Sequence, residues 1–454
     1  MEDSLLSVGL DVGTTTTQLI VSRLTVQNQA TGFAVPRMEI SNRQILYRSQ
    51  VYFTPLLGKD RVDGNGLRVI VEQEYDQAGI TPAQVDTGAV IITGETSRKE
   101  NAAAVLEALS GFAGDFVAAT AGPDLESVLA AKGGGALAFS KQTEKPVLHM
   151  DIGGGTSNLA WIEDGKILRT GCLNVGGRLV KLDGGKVSYV SPVLAGLTEL
   201  KLGDYPTATQ LEEIAALLVC ALEMVAGLRP ATQLLDKLWT KECGQRWSSL
   251  PSKDPVISFS GGVADCIDTH HIPGQFGDIG VELGQAIKNS LLCRGEYRVA
   301  EQAIRATVIG AGCHSAQLSG STVFCRDVKL PLKNLPVAVI PRQTTEQLPE
   351  FIRQSICRAD GELVVLALQE IAEDYRQMTA LAEGIAAGVT DGPVLVCLEQ
   401  DMAKALGQKL ALLLPERPVL CIDRVQLTGE CFLDVGTPVG PTFPVVVKTL
   451  VMSN

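Results

Sequence analysis

The sequence predicts an α/β protein with two lobes and an additional α/β domain at its C-terminal end. Three observations predict this. Two glycine-hinged aspartate turns stand about 140 residues apart, Leu10-Asp11-Val12-Gly13-Thr14-Thr15 and Met150-Asp151-Ile152-Gly153-Gly154-Gly155-Thr156, and each lies between two apolar runs. That pattern reads as strand, tight turn, strand. With 454 residues the chain is too long for one core, and its Ala, Val, Leu and Gly with only 5% aromatics suit packed layers of helix and sheet. From about Val323 onward, apolar strands at 363–368, 394–398 and 419–422 alternate with helices at 345–357 and 401–413. The expected division is therefore 1–140, 141–322 and 323–454.

Within the first part, residues 5–24 read as a hairpin around the first turn. Residues 25–85 are mixed, with β-rich stretches at 44–52 and 67–71, and read as an inserted subdomain. Ala89 to Ile92 is a buried-strand candidate ending at Thr93. Ser97 and Glu100 form a capping-box pattern for a helix through Leu109. Phe116 to Ala119 is another short strand, and Pro123 opens a helix expected to run to about Phe139. That helix would contain Gly133-Gly134-Gly135. Each glycine costs roughly 0.5–1 kcal/mol against alanine in a helix interior, so three in a row call for a reason. Close approach of a second backbone, with Gly310-Ala311-Gly312 as partner, is one; a simple helix end is the other.

The second part continues through a turn at Asp164-Gly165 into further strands, then a helix at 209–228 with Glu212 and Glu213 on its polar face. Val256 to Ser260 is a strand running into Gly261-Gly262, and 306–317 is a small-residue element. Leu433-Asp434-Val435-Gly436-Thr437 echoes the first turn, but Pro438 removes a backbone donor, so it reads as a strand-end turn. His149, two residues before Asp151, reads as a packed core histidine.

Net charge of −12 argues against nucleic acid and anionic membrane as partners. No apolar stretch reaches the ~20 residues of a membrane helix, and Met1-Glu2-Asp3-Ser4 lacks the basic start of a signal peptide. Eleven dispersed cysteines without C-x-x-C spacing read as reduced thiols. Together these predict a cytoplasmic protein.

The two turns carry the chemistry. Glycine lets backbone N–H groups crowd an anion, and threonine hydroxyls add donors. A magnesium ion takes one or two carboxylates, water and phosphate oxygens, so Asp11 and Asp151 are its candidate ligands. Two such turns facing each other would clamp a nucleotide triphosphate.

Their order, followed by Ser258-Phe259-Ser260-Gly261-Gly262, resembles the ATPase superfamily of acetate and sugar kinases, heat-shock chaperones and actin, over roughly residues 5–320. The resemblance implies an actin-like fold of duplicated ribonuclease H-like domains with ATP and Mg2+ between the lobes. It implies that Asp11 holds magnesium through water, with Gly13, Thr14 and Thr15 along the first phosphate turn. Asp151 would sit near the metal or the attacking water, Gly153, Gly154, Gly155 and Thr156 at the γ-phosphate, and Gly261 and Gly262 against adenosine. The chaperones of the superfamily place a glutamate where this chain has Gly122. Asp124 and Glu126 are left to take its role; failing them, hydrolysis would be slow.

The whole chain is further similar to the EutA family of reactivating factors. Ser7 to Thr17, Thr93 to Asn101, Ala121 to Ser127, Phe276 to Gly284 and Pro444 to Leu450 carry that likeness. It implies an ATP-dependent chaperone-like partner of ethanolamine ammonia-lyase, releasing damaged cobalamin so that intact cofactor binds. It also implies a place in the cytoplasm in association with the ethanolamine-utilization microcompartment. The oligomeric state stays open, a homodimer being one option. A small-molecule kinase and a polymerising scaffold of the same superfamily remain the alternatives.

Overall fold

A computed structural model of the chain describes residues 3–13, 16–28, 38–57, 61–93, 105, 109, 117–120, 123–243, 247, 255–314, 316–319, 322–340, 347–358, 363–368, 374–425, 427, 431–438 and 442–449. The predicted capping box at 97–100 lies outside them.

The first sheet is built from β1 (Asp3–Val12), β2 (Thr16–Asn28), β3 (Met38–Arg48), β5 (Thr87–Ile92) and β6 (Val117–Thr120), in the order β3-β2-β1-β5-β6, with β4 (Tyr52–Phe53) pairing on β2. The first three strands are antiparallel; β5 and β6 run parallel to β1. Helix α1 (Gly64–Ala78) packs Leu67, Val71 and Tyr75 against Val8, Leu10, Val12 and Val90. Asp63 caps its first turn, and Gly79 at φ 67 ends it.

These elements correct the reading of 25–85 as an insertion. The stretch supplies a strand and the crossover helix of the main sheet. It was illegible because β3 is an edge strand, exposed along much of its length, without clean alternation. The stretch 67–71 is helix, not strand: Leu67, Val71 and Tyr75 recur every fourth residue. The Tyr47 and Tyr52 hydroxyls both donate to buried Glu74, tying β3 and β4 to α1.

Helices α2 (Pro123–Gly133) and α3 (Ala136–Thr143) lead into the second sheet. Its strands β7 (Val147–Ile152), β8 (Ser157–Glu163) and β9 (Lys166–Leu173) are antiparallel neighbours. After the hairpin β10 (Val180–Asp183) and β11 (Lys186–Val190), β12 (Val256–Ser260) and β13 (Tyr297–Val299) complete it, parallel to β7. The order β9-β8-β7-β12-β13 repeats that of the first sheet, so the two lobes share one topology. Asp164 and Gly165, at φ 46 and 69, make the predicted hairpin turn. Helices α4 (Ala208–Val225), α5 (Gln233–Leu238), α6 (Asp265–Asp268) and α7 (Gly280–Lys288) cover it. One large core runs from Leu148 through Trp161, Leu218 and Phe259 to Leu283.

Helix α8 (Ala306–His314) returns to the first sheet, against β1, β2 and β5, while α2 packs on β7, β8 and β9. The lobes have thus exchanged helices, and α2 crosses α8 at backbone contact. A Cβ on Gly133 would stand 1.8 Å from the Ala306 carbonyl oxygen; one on Gly310 would stand 2.0 Å from that of Leu129. Both reasons for the glycine run hold, at different residues. Gly133 makes the crossing with Gly310, and Gly135 at φ 72 ends α2, so the expected single helix to Phe139 is two. Gly134 faces His149 instead.

The C-terminal sheet contains eight strands: β14 (Ala316–Leu318), β15 (Phe324–Arg326), β16 (Leu332–Ile340), β17 (Val365–Leu368), β18 (Val394–Leu398), β19 (Val419–Ile422), β20 (Cys431–Val435) and β21 (Pro444–Thr449). β16 to β19 run parallel, joined by α9 (Leu348–Arg358), α10 (Tyr375–Gly388) and α11 (Ala403–Leu413), and the sheet has a core on each face. β14 and β21 bring this sheet against β3 and β6 of the first lobe. Gly436 ends β20 with its N–H on the Pro444 carbonyl, the strand-end turn expected there.

Candidate functional site

Both aspartate turns are built alike. Each carboxylate stands next to the last residue of the first strand of its sheet, and the turn closes by one short bond, Gly13 N to Thr16 O and Gly153 N to Thr156 O, both 2.9 Å. The two turns open onto a single cleft of about 410 Å³ between the lobes, within the usual size of small-molecule sites. Asp11, Gly13, Glu126, Asp151, Gly153, Gly154, Gly155, Thr156, Gly261 and Gly262 all line it. Thr14, Thr15 and Gly122 lie outside the described residues.

Asp124 does not belong to the site. It is exposed on the far side of the first turn of α2, where its carboxylate accepts the Thr170 hydroxyl at 2.5 Å. Two residues on, the helix turns Glu126 inward; it is buried and accepts the Asn158 amide at 2.8 Å.

Asp11 accepts the Thr93 hydroxyl at 3.0 Å from the end of the neighbouring strand β5. Burial pushes its carboxyl up to about 7, the Thr93 bond acting against this and the facing charges of Glu126 and Asp151 adding to it. Asp151 is pushed up to about 6, by burial first, against hydrogen bonds from Ser260 and Thr307. Behind it lies a buried polar chain. Ser260 donates to Asp151, His149 Nε2 lies 3.0 Å from the Ser260 hydroxyl, and His149 Nδ1 lies 3.1 Å from that of Ser258. Burial, then the Arg298 charge, holds His149 down near 3, so it is neutral. Since Ser260 gives its proton to Asp151, Nε2 carries the imidazole proton and Nδ1 accepts from Ser258. The packed-core reading of His149 holds, with a polar duty added.

The remaining glycines shape the cleft. Gly261, at φ 88, lies so close that a Cβ would stand 2.3 Å from the Ile152 oxygen, whereas a Cβ on Gly155 would meet nothing within 4 Å. The segment Gly176-Gly177-Arg178 lies against the second turn: Gly177 N donates to Gly153 O at 3.1 Å and Arg178 N to Gly154 O at 2.6 Å. Arg178 Nε pairs with Asp278 at 3.1 Å. His271 and Phe276, packed edge to face at 5.3 Å between centroids, also line the cleft.

Sequence reasoning missed Thr93, Asn158, Arg178, Asp278 and Thr307 as cleft residues, and Ser260 as the support behind Asp151. One signal was available. Ser258 and Ser260 share the two-residue period of His149 and Asp151, and the strands pair Ser258 with His149 and Ser260 with Asp151. The Gly176-Gly177 pair after β9 was another.

The arrangement suits a metal-bound polyphosphate. Asp11, Glu126, Asp151, Asp265 and Asp278 give the described cleft lining five carboxylates against one arginine. An anion enters such a cleft only with a cation. The N–H groups of the second turn, the open space at Gly155 and the facing buried carboxylates fit a nucleotide with magnesium.

Comparison with known proteins agrees in extent. The family model of "Ethanolamine utilisation protein EutA" matches residues 3–453. The ethanolamine ammonia-lyase reactivase EutA of Salmonella typhimurium is 40% identical over 98% of both chains, and that of Escherichia coli 39% over the same share. Among solved structures, the Aquifex aeolicus PPX-GPPA enzyme is similar over 68% of this chain and 99% of its own, at 13% identity and a TM-score of 0.42. The chain belongs to the EutA family.

Proposed function

We propose that this chain is an ATP-dependent, chaperone-like reactivase of ethanolamine ammonia-lyase, exchanging damaged cobalamin for intact cofactor on that enzyme. Its relatives in Salmonella and Escherichia coli bear the reactivase name over nearly the whole length. The observation that carries the reading is the pair of matched aspartate turns on one cleft, set between lobes whose connecting helices cross backbone to backbone.

Asp11 and Asp151 are the residues to hold magnesium, which when bound neutralises phosphate charge and polarises the transferring phosphoryl group. The N–H groups of Gly154, Gly155 and Thr156 cradle the phosphates, with Gly13 lining the facing turn. Gly261 and Gly262 leave room for adenosine. Asp151 serves either as a magnesium ligand or, with the metal on Asp11 alone, beside the attacking water; Glu126, held by Asn158, lines the same cleft and orients that water. Ser260, Thr307 and His149 keep the Asp151 carboxylate aimed. Closing both turns on one nucleotide biases the angle between the lobes, and the α2–α8 crossing is the pivot. Moving such a pivot from 1:99 to 99:1 needs about 5.5 kcal/mol of differential affinity, within reach of several charge-assisted bonds. Strain in the lyase loosens its cofactor. On this reading the protein works in the cytoplasm beside the ethanolamine-utilization microcompartment.

The test is recovery of a lyase loaded with inactive cobalamin, given this protein, Mg2+–ATP and free adenosylcobalamin. Recovery is expected only with ATP, with the damaged corrinoid released unaltered. Equal recovery without nucleotide, or adenosylation of the released corrinoid, would overturn the proposal.

A further inference from the structure

Arg178 lines the cleft beside the second aspartate turn. Its main chain is bound to the second aspartate turn through Gly154, and its stem lies over that glycine, 3.1 Å from Cδ to where a Gly154 Cβ would stand. Its Nε is committed to Asp278, whose other oxygen accepts the Gly280 N–H at 2.8 Å at the start of α7. The guanidinium is therefore anchored at both ends of its reach. Nη1, by contrast, is buried and has no hydrogen-bond partner. Among the described residues lining the cleft, Arg178 is the only lysine or arginine.

A tether for the 276–280 loop accounts for the Nε bond and leaves Nη1 unexplained. A buried guanidinium N–H without an acceptor is unfavourable, and arginine's planar fork suits one anchor on a carboxylate and a second donor on an anion. The anchoring by Asp278 means little side-chain freedom is lost when that anion arrives. The anion must lie near Gly154, in the turn that the nucleotide reading gives to the terminal phosphates. We propose that Arg178 reads the phosphate chain of the nucleotide, its guanidinium donating to a non-bridging oxygen beyond the α-phosphate, so that di- and triphosphate are held more tightly than monophosphate. This rests on the nucleotide reading of the cleft.

Calorimetric titration of the full chain with ATP, ADP and AMP, each with Mg2+, tests it. In Arg178→Gln the affinity for ATP or ADP should fall roughly ten- to a hundredfold, the weight of a lost charged hydrogen bond, while AMP binding stays as in the wild type. Arg178→Lys, which keeps the charge and so serves also if the glutamine variant fails to fold, should retain part of the preference for the longer phosphates. An equal loss for all three nucleotides would mark Arg178 as a loop tether only and overturn the contact alone, as would unchanged affinities. Wild-type protein binding none of the three would overturn the nucleotide reading and the contact together.

Discussion

The two lobes run the same strand order and end their first strand at the same kind of turn, yet they support it with opposite materials. In the second lobe, the position two residues before the aspartate is His149, and the paired positions on the neighbouring strand are Ser258 and Ser260. The result is a buried polar chain ending on Asp151. In the first lobe the matching positions are Gly9, Ala89 and Ile91. Gly9 carries no side chain because the backbone of α8 occupies the space; a Cβ there would stand 2.7 Å from the Val308 oxygen. Asp11 has the Thr93 hydroxyl from outside that pairing. The second lobe thus holds its carboxylate at the end of a buried chain of serine and histidine side chains, whereas in the first the matching positions are apolar or taken by the backbone of α8, and Asp11 has the Thr93 hydroxyl. Helix α8 serves both, by backbone contact at Gly9 and by the Thr307 hydroxyl at Asp151.

The comparison breaks most directly at the carboxylates. Asp11→Asn and Asp151→Asn should each lower magnesium-dependent ATP turnover by about a hundredfold or more, by the measure of other preorganised electrostatic groups. Steady-state assays on folded variants check this. Wild-type turnover in either variant would mean that only one turn serves the site.

Next in size is the crossing. Gly133→Ala and Gly310→Ala each force a methyl into a carbonyl of the facing helix and should cost about 2–3 kcal/mol or more in denaturant unfolding. Gly155→Ala, with open space around it, should cost well under half of that. Equal costs would remove the crossing as the structural link between lobes.

Smaller again is the polar chain. His149→Gln keeps the size but leaves one of the two serine hydroxyls unmatched, a loss of about 1–2 kcal/mol. Turnover should fall more than in a variant of comparable stability elsewhere, since Asp151 loses its aim. If turnover and stability fall in step with such a control, the asymmetry between lobes is structural only.

The acidity of the cleft gives a pH signature. Asp11 and Asp151 have folded-state values of about 7 and 6, above the ordinary 3.8. Their contribution to stability is fully present below about 3.8 and lost as pH rises through 6 to 7. Apo protein should therefore lose stability over that window, and Asp11→Asn should flatten the slope near pH 7. Thermal melts across pH 5 to 8 decide; a wild-type slope in the variant would contradict the assignment. Smallest of all, Asp124→Ala should change stability by less than about 0.5 kcal/mol and leave turnover alone.

The aspartate turns were legible because glycine, aspartate and threonine announce them within a few residues. The strands of the C-terminal sheet were legible for a similar reason, being short apolar runs: 394–398 and 419–422 fall where expected. What depends on pairing was not. The edge strand β3 has no pattern of its own, and Arg178 and Asp278, a hundred residues apart, share nothing local. Asp124 and Glu126 look interchangeable in sequence; only the helical rotation of about 100° per residue separates them. The glycine run lay between the two cases: its oddity was visible, but which glycine crosses and which ends the helix depended on the facing backbone.

The exchanged helices also set a timetable for synthesis. Leu5, Ile20 and Leu24 of the first sheet are covered by Val308 and Ile309, and the Ser7 hydroxyl is bonded to the carbonyl of Gly312, 305 residues later. A ribosome adding about 5–20 residues per second leaves that apolar face bare for some tens of seconds after β1 and β2 emerge. The first sheet therefore completes its core only after α8 has been made. A nucleotide clamp cannot form early on half a chain.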